Sequence, residues 1–131
     1  KDTFFSFVYE TWAISPNIVF YSEKIYKCIL NFHPFVAWAN PHTIKYMNDN
    51  GYKSFNPHIN EDYDNHVSAE NRSLLAMKEM VALCDMTKIQ LLDWYANQEE
   101  ILTHNYKRFM EEDSFMKSVN DFLEVYDRVV G

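Results

Sequence analysis

The chain has 131 residues, 47 % of them apolar and 17 % aromatic, with twelve basic and nineteen acidic side chains and a formal charge of −7. This is enough chain for one domain with a real core, and the composition is too apolar for disorder. The acidic balance opposes general nucleic-acid binding, which needs a basic face. Two glycines and four prolines are too few for a turn-rich β-sandwich.

Phe4 to Tyr9 reads as a strand almost at the start of the chain, which opens on Lys1. A buried strand with no element before it to cover it is expected to belong to a longer parent, as a fragment or processed product. Glu23 to Phe32 follows as an amphipathic helix with Ser22 as its N-cap and Ile25, Cys28, Ile29 and Phe32 on one face. Pro34 limits that helix, and Phe35 to Trp38 is a second strand. Asn40-Pro41 is expected to cap a second helix with proline at its first position and Ile44 and Met47 inward. Asn50-Gly51 closes it through a left-handed cap, and Tyr52 to Phe55 is expected as a short third strand.

Asn56 to Asn65 reads as a polar, solvated acidic loop. The remainder reads as helical. Ser68 to Met86 carries Leu74, Met77, Val81 and Cys84. Thr87 and Gln90 form a capping-box pattern for one long helix to about Glu111, and Asp113 or Ser114 caps a last helix with Phe115, Val119, Phe122, Tyr126 and Val129. The expected fold is α/β: a small parallel, Rossmann-like sheet flanked by helices, with a helical C-terminal tail. Residues 1–66 form its βαβαβ core and residues 67–131 a helical part of the same domain. No apolar run reaches the roughly 20 residues of a membrane span, and no secretory pattern is visible. Cys28 and Cys84, each in a helical segment, are expected as buried reduced thiols, which suits the cytoplasm.

In parallel sheets, ligands gather at the C-terminal strand ends, where helices begin. Glu10 lies just past the first strand and Asn40 just past the second, while Ser22, Glu23 and Lys24 open the intervening helix. All five are expected on one rim. A helix N-terminus and a lysine suit a diphosphate, and two carboxylates suit hydroxyl groups. Glu23 and Lys24 also have a structural reading, since glutamate favours a first helical turn and lysine is a good helix former. Lys27, one turn on, could reinforce a phosphate site, and Trp38 is the best placed aromatic for stacking on a sugar. His33 and His42 could line the same rim, but the five histidines lack the spacing of a helical zinc site. Asp62-Tyr63-Asp64 has the two-apart carboxylates that suit a hard cation, yet it precedes helices rather than ending a central strand. No metal is expected.

Three segments resemble the nucleotide-binding half of GT-B glycosyltransferases, in particular the α1,3-fucosyltransferase-like group: Phe7-Val8-Tyr9-Glu10-Thr11, Phe20-Tyr21-Ser22-Glu23-Lys24-Ile25 and His33-Pro34-Phe35-Val36. That group has a strand ending in Glu-Asn, a Tyr-x-Thr-Glu-Lys helix start and a Val-Pro-Val strand. Here Thr11 stands for the asparagine and Ser22 for the threonine. The chain is also similar to shorter phage and environmental glycosyltransferase-like proteins. The resemblance implies a nucleotide-diphosphate sugar donor, with Glu23 on the ribose hydroxyls, Lys24 on the diphosphate and Glu10 fixing the sugar or the loop. It implies no further cofactor, and a glycan or other acceptor held by an additional upstream domain. The catalytic residues are not assigned, and this chain alone is expected to bind a donor better than it transfers a sugar. The alternative expectation is a non-catalytic α/β interaction module whose helical part forms a partner surface, possibly between copies of the chain.

Overall fold

The computed structural model describes residues 3–10, 22–111 and 123–131. Within them the chain is α/β. β1 (Ser6–Tyr9) and β2 (Phe35–Trp38) form a two-stranded parallel sheet, and α1 (Glu23–Leu30) lies between them in sequence. There follow α2 (Thr43–Asp49), a 3-10 turn (Asp62–Asn65), α3 (Ala69–Cys84), α4 (Lys88–Ala96), α5 (Glu99–Met110) and a terminal helical segment at residues 123–130. Ser6 stands opposite Phe35 and Tyr9 opposite Trp38. Thr11, the Phe20-Tyr21 pair and the helix start expected near Asp113 or Ser114, with Phe115, Val119 and Phe122, lie outside the described residues.

α1 forms for the local reasons legible in its sequence. Ser22 is extended and its hydroxyl accepts the Lys24 N–H, while Ile25, Cys28 and Ile29 line the buried face. Phe32, expected on that face, is not helical: it takes φ 52°. It terminates the helix, donating its N–H to the Ile29 carbonyl while the His33 N–H reaches the Cys28 carbonyl. This closure usually recruits glycine. The Phe32 ring instead stacks on Tyr106 of α5 at 4.7 Å. At the end of α2, Gly51 makes the equivalent turn with φ 89°, where a Cβ would fall 2.9 Å from the Arg108 Nε.

α2 starts later than Asn40-Pro41 predicts, at Thr43 with His42 as its N-cap residue. Its first amides are held by the Asp64 carboxylate, which accepts the Ile44 N–H at 2.9 Å and the Lys45 N–H at 3.0 Å. The distant acid thus holds the first turn, together with the Asn40 backbone carbonyl, which accepts from Thr43.

The third strand does not form, so the core is βαβ rather than βαβαβ. Tyr52 and Phe55 are buried as expected of a core strand, but side chains satisfy the backbone between them. Asn105 of α5 accepts the Lys53 N–H at 2.7 Å and donates to the Lys53 carbonyl at 2.9 Å, and Glu61 accepts the Phe55 N–H. The same contacts overturn the solvated-loop expectation, because Glu61, Tyr63 and Asp64 are buried. Phe35 and Phe55 meet edge to face at 5.2 Å in the core, and burying rings of this size contributes about 2–3 kcal/mol each.

The single long helix expected from Thr87 is two helices. Its capping box is present, with Thr87 and Gln90 exchanging backbone–side-chain bonds. At Gln98, however, the backbone N–H takes the Tyr95 carbonyl and the side chain takes the Trp94 carbonyl, and the chain restarts as α5. α3 is turned opposite to the Leu74, Met77, Val81 and Cys84 pattern: Arg72, Ala76 and Leu83 face the core. Cys84 is therefore exposed, and only Cys28 of the two thiols is buried. No described helix is long and apolar enough to cross a membrane.

Replacing Asn105 with alanine strands the Lys53 backbone pair without partners. The expected cost is about 1–3 kcal/mol of unfolding free energy, measurable by urea denaturation. A loss below a few tenths of a kcal/mol would show that the Tyr52–Phe55 segment is held by burial alone.

Candidate functional site

Glu10 and Asn40 both lie just past the C-terminal ends of the paired strands, and the Glu10 N–H continues the ladder to the Trp38 carbonyl at 3.0 Å. The Glu10 side chain is buried, and one carboxylate oxygen accepts both the N–H and the hydroxyl of Ser22, each at 2.9 Å. Ser22 in turn caps α1, and the Lys24 ammonium donates back to the Tyr9 carbonyl at 2.8 Å. Glu10, Ser22 and Lys24 are therefore gathered, although twelve residues separate the first two. Glu23 is exposed on the first turn of α1, and Asn40 is buried, its carbonyl accepting both the Thr43 N–H and the Thr43 hydroxyl.

The start of α1 already carries an anion, the carboxylate of Glu10. A phosphate about 4 Å from it would meet a repulsion of about 1–4 kcal/mol, against about 0.3–1 kcal/mol gained from the helix dipole. The helix dipole alone does not outweigh that repulsion, so an anion at this end would depend on the neighbouring lysines.

Those lysines face a cavity of about 550 Å³ running beside β1. Ser6 and His33 line one end, Tyr9 and Lys24 the other, and Lys27 and Cys28 the α1 wall. Among the described residues no carboxylate lines it, so on a chain of charge −7 its described charged lining is basic. His33 stands at the opposite end from Glu10, not on the shared rim. In a parallel pair the residue before β2 lies beside the start of β1, and the His33 Nδ1 is 2.9 Å from the Ser6 hydroxyl. His42 is exposed at the start of α2, with its backbone N–H on the Asp64 carbonyl. Trp38 packs against Tyr9 at 4.6 Å but is not among the cavity's lining residues, and Tyr9 is. Burial pushes the Cys28 thiol up, which keeps it protonated and a poor nucleophile.

Sequence reasoning kept Lys27 as a secondary possibility and passed over Ser6, Tyr9 and Cys28 as ligand contacts. The signal available for Lys27 was its spacing: three residues after Lys24, it shares a helix face with it.

The Asp62-Tyr63-Asp64 acids do not assemble a cation site. Asp62 is exposed while Asp64 holds α2, and no group of three or more metal-ligating side chains occurs among the described residues. No family model, curated protein or solved structure matches the chain.

Glu61 is the acid whose titration reports on the fold. Burial raises its carboxyl to about 7, against the lowering effect of hydrogen bonds from Phe55, Ser54 and Asn56. The folded state then holds a proton up to about pH 7 that the unfolded chain releases near the usual 4.5. This contribution to stability is complete below about pH 4.5 and is lost as pH rises through 7. The Asp64 carboxyl is also raised by burial and acts in the same direction. Unfolding free energy should fall by up to about 3 kcal/mol from Glu61 between pH 5 and pH 8. Denaturation across that range checks this, and Glu61→Gln should flatten the profile. An unchanged slope in that variant would remove Glu61 as its source.

Proposed function

We propose that the chain is a glycosyltransferase-like domain that binds a nucleotide-diphosphate sugar, with the diphosphate against Lys24 and Lys27 in the cavity beside β1. The observation that carries this reading is the pair of lysines, Lys24 and Lys27, with no carboxylate among the described residues lining that cavity, on a chain of net charge −7. The resemblance of the Glu10, Ser22-Glu23-Lys24 and Pro34-Phe35-Val36 segments to GT-B donor domains supports the choice of ligand. A volume of about 550 Å³ lies within the roughly 300–1,000 Å³ range of small-molecule sites.

In this reading Glu10 is an anchor. It fixes Ser22, and so the first turn of α1, which sets the position of Lys24. Glu23, exposed on the same turn, is the carboxylate for the ribose hydroxyls. Tyr9 offers the aromatic surface for a ring, in place of Trp38. In glycosyl transfer the two ammonium groups would stabilise the departing diphosphate as its charge develops. The acceptor and its holding domain belong to the same proposal. A partner-binding role is favoured by a different feature, the exposed apolar face of α3, and is compatible with donor binding.

Lys27 is the informative substitution, because Lys24 also holds the Tyr9 carbonyl. GDP, UDP or their sugars at millimolar concentration should raise the melting temperature through mass action. Lys27→Ala should weaken binding about tenfold, equivalent to about 1.4 kcal/mol, with the ligand-free melting temperature unchanged. Absence of any nucleotide-dependent shift in the parent protein would refute the reading.

A further inference from the structure

α3 carries two apolar faces. One holds Ala76 and Leu83 against the core with Arg72. On the opposite side, at about 100° per residue, Leu74, Met77 and Val81 are 61, 46 and 49 % exposed. Val67, just before the helix, is 69 % exposed. A helix that is apolar on both sides is ordinarily covered on both.

The charges beside this outer stripe are symmetric about Leu74. Glu70 lies four residues before it and Lys78 four after; both are exposed, and neither is in an ion pair with a described residue. Val67 and Val81 lie seven residues to either side. If a second copy of α3 ran antiparallel across this face with Leu74 on the twofold axis, Glu70 of each copy would meet Lys78 of the other. Val67 would meet Val81, and the two leucines would meet at the centre. A parallel arrangement would set glutamate against glutamate and lysine against lysine. The pattern therefore selects the antiparallel one, much as flanking charges select orientation in coiled coils.

We propose that the chain forms a twofold dimer through the outer face of α3, in the register that pairs Glu70 with Lys78 of the second copy. The interface is isologous and closed, so it stops at two copies. It spans about 18 Å of helix, from Ala69 to Val81, with Val67 just before it, and is of the order of the smallest specific interfaces, about 1,200 Å² in total. An interface this small is expected to leave monomer and dimer in exchange. The dimer does not depend on donor binding, because none of these residues lines the cavity beside β1.

Sedimentation of the full chain from about 1 to 500 µM, with reductant present because Cys84 is exposed, should show concentration-dependent dimers. Leu74→Glu should abolish them over that range, with the far-UV spectrum unchanged. Glu70→Lys alone should weaken association about tenfold. The double change Glu70→Lys with Lys78→Glu should restore it, since each new pair is again of opposite sign. A monomer at every concentration, or dimers indifferent to Leu74→Glu, would overturn the proposal. Failure of the double change to recover association would overturn the register. A monomer that begins to self-associate when residues 123–131 are removed would show that the terminal helix covers the stripe instead, and would also overturn it. Nucleotide-dependent thermal shifts on Leu74→Glu report donor binding separately.

Discussion

The Ala37 N–H donates to the Tyr63 hydroxyl at 3.3 Å, at the place where a further strand would pair with β2. Two strands of four residues cannot satisfy their own edges, and an unpaired buried amide costs about 1–3 kcal/mol. The fold meets this constraint repeatedly with side chains. Arg72 takes the Ala39 carbonyl beyond the end of β2, and Lys24 takes the Tyr9 carbonyl at the end of β1. Asn105 and Glu61 hold the Tyr52–Phe55 segment, and Asp64 holds the start of α2. Four of the buried polar residues, Glu61, Asp64, Arg72 and Asn105, serve in this substitution of side chains for backbone partners.

What could be read from the sequence was local. The Ser22 cap, the Thr87–Gln90 box and the Asn50-Gly51 closure involve neighbours within a few residues, and each formed. The apolar run of β2 likewise met its expected bounds. The third strand failed for a nonlocal reason, since Asn105 lies more than fifty residues from Lys53 and nothing in Tyr52–Phe55 announces it. The acidic loop failed for the same reason: its acids suggest solvent by composition, yet Glu61 and Asp64 are buried against the backbone amides they serve. Period alone also could not tell which of the two apolar faces of α3 turns inward.

The candidate site divides along the same line. Its anchoring half, Glu10 with Ser22 and Lys24, followed from strand-end and helix-start positions in a βαβ unit. The cavity did not follow, because its walls combine one helix face with one strand, and Tyr9 and Ser6 look unremarkable in isolation. Charge segregation is the feature that unites the two halves. A carboxylate neutralises the helix end, leaving the lysine side of α1 as the basic surface beside β1.

Arg72 reaches the Ala39 carbonyl at the sheet and the His66 and Val67 carbonyls at the entry to its own helix. A guanidinium remains charged at any ordinary pH, so these three acceptors cannot be released one at a time by titration. α3 therefore cannot peel from the sheet as a separate unit without stranding a buried cation, and fluctuations that open one should open both. The residues from 123 to 131 are exposed throughout and contribute nothing to the buried core, so the protein joins a cooperative centre to a periphery whose opening costs less.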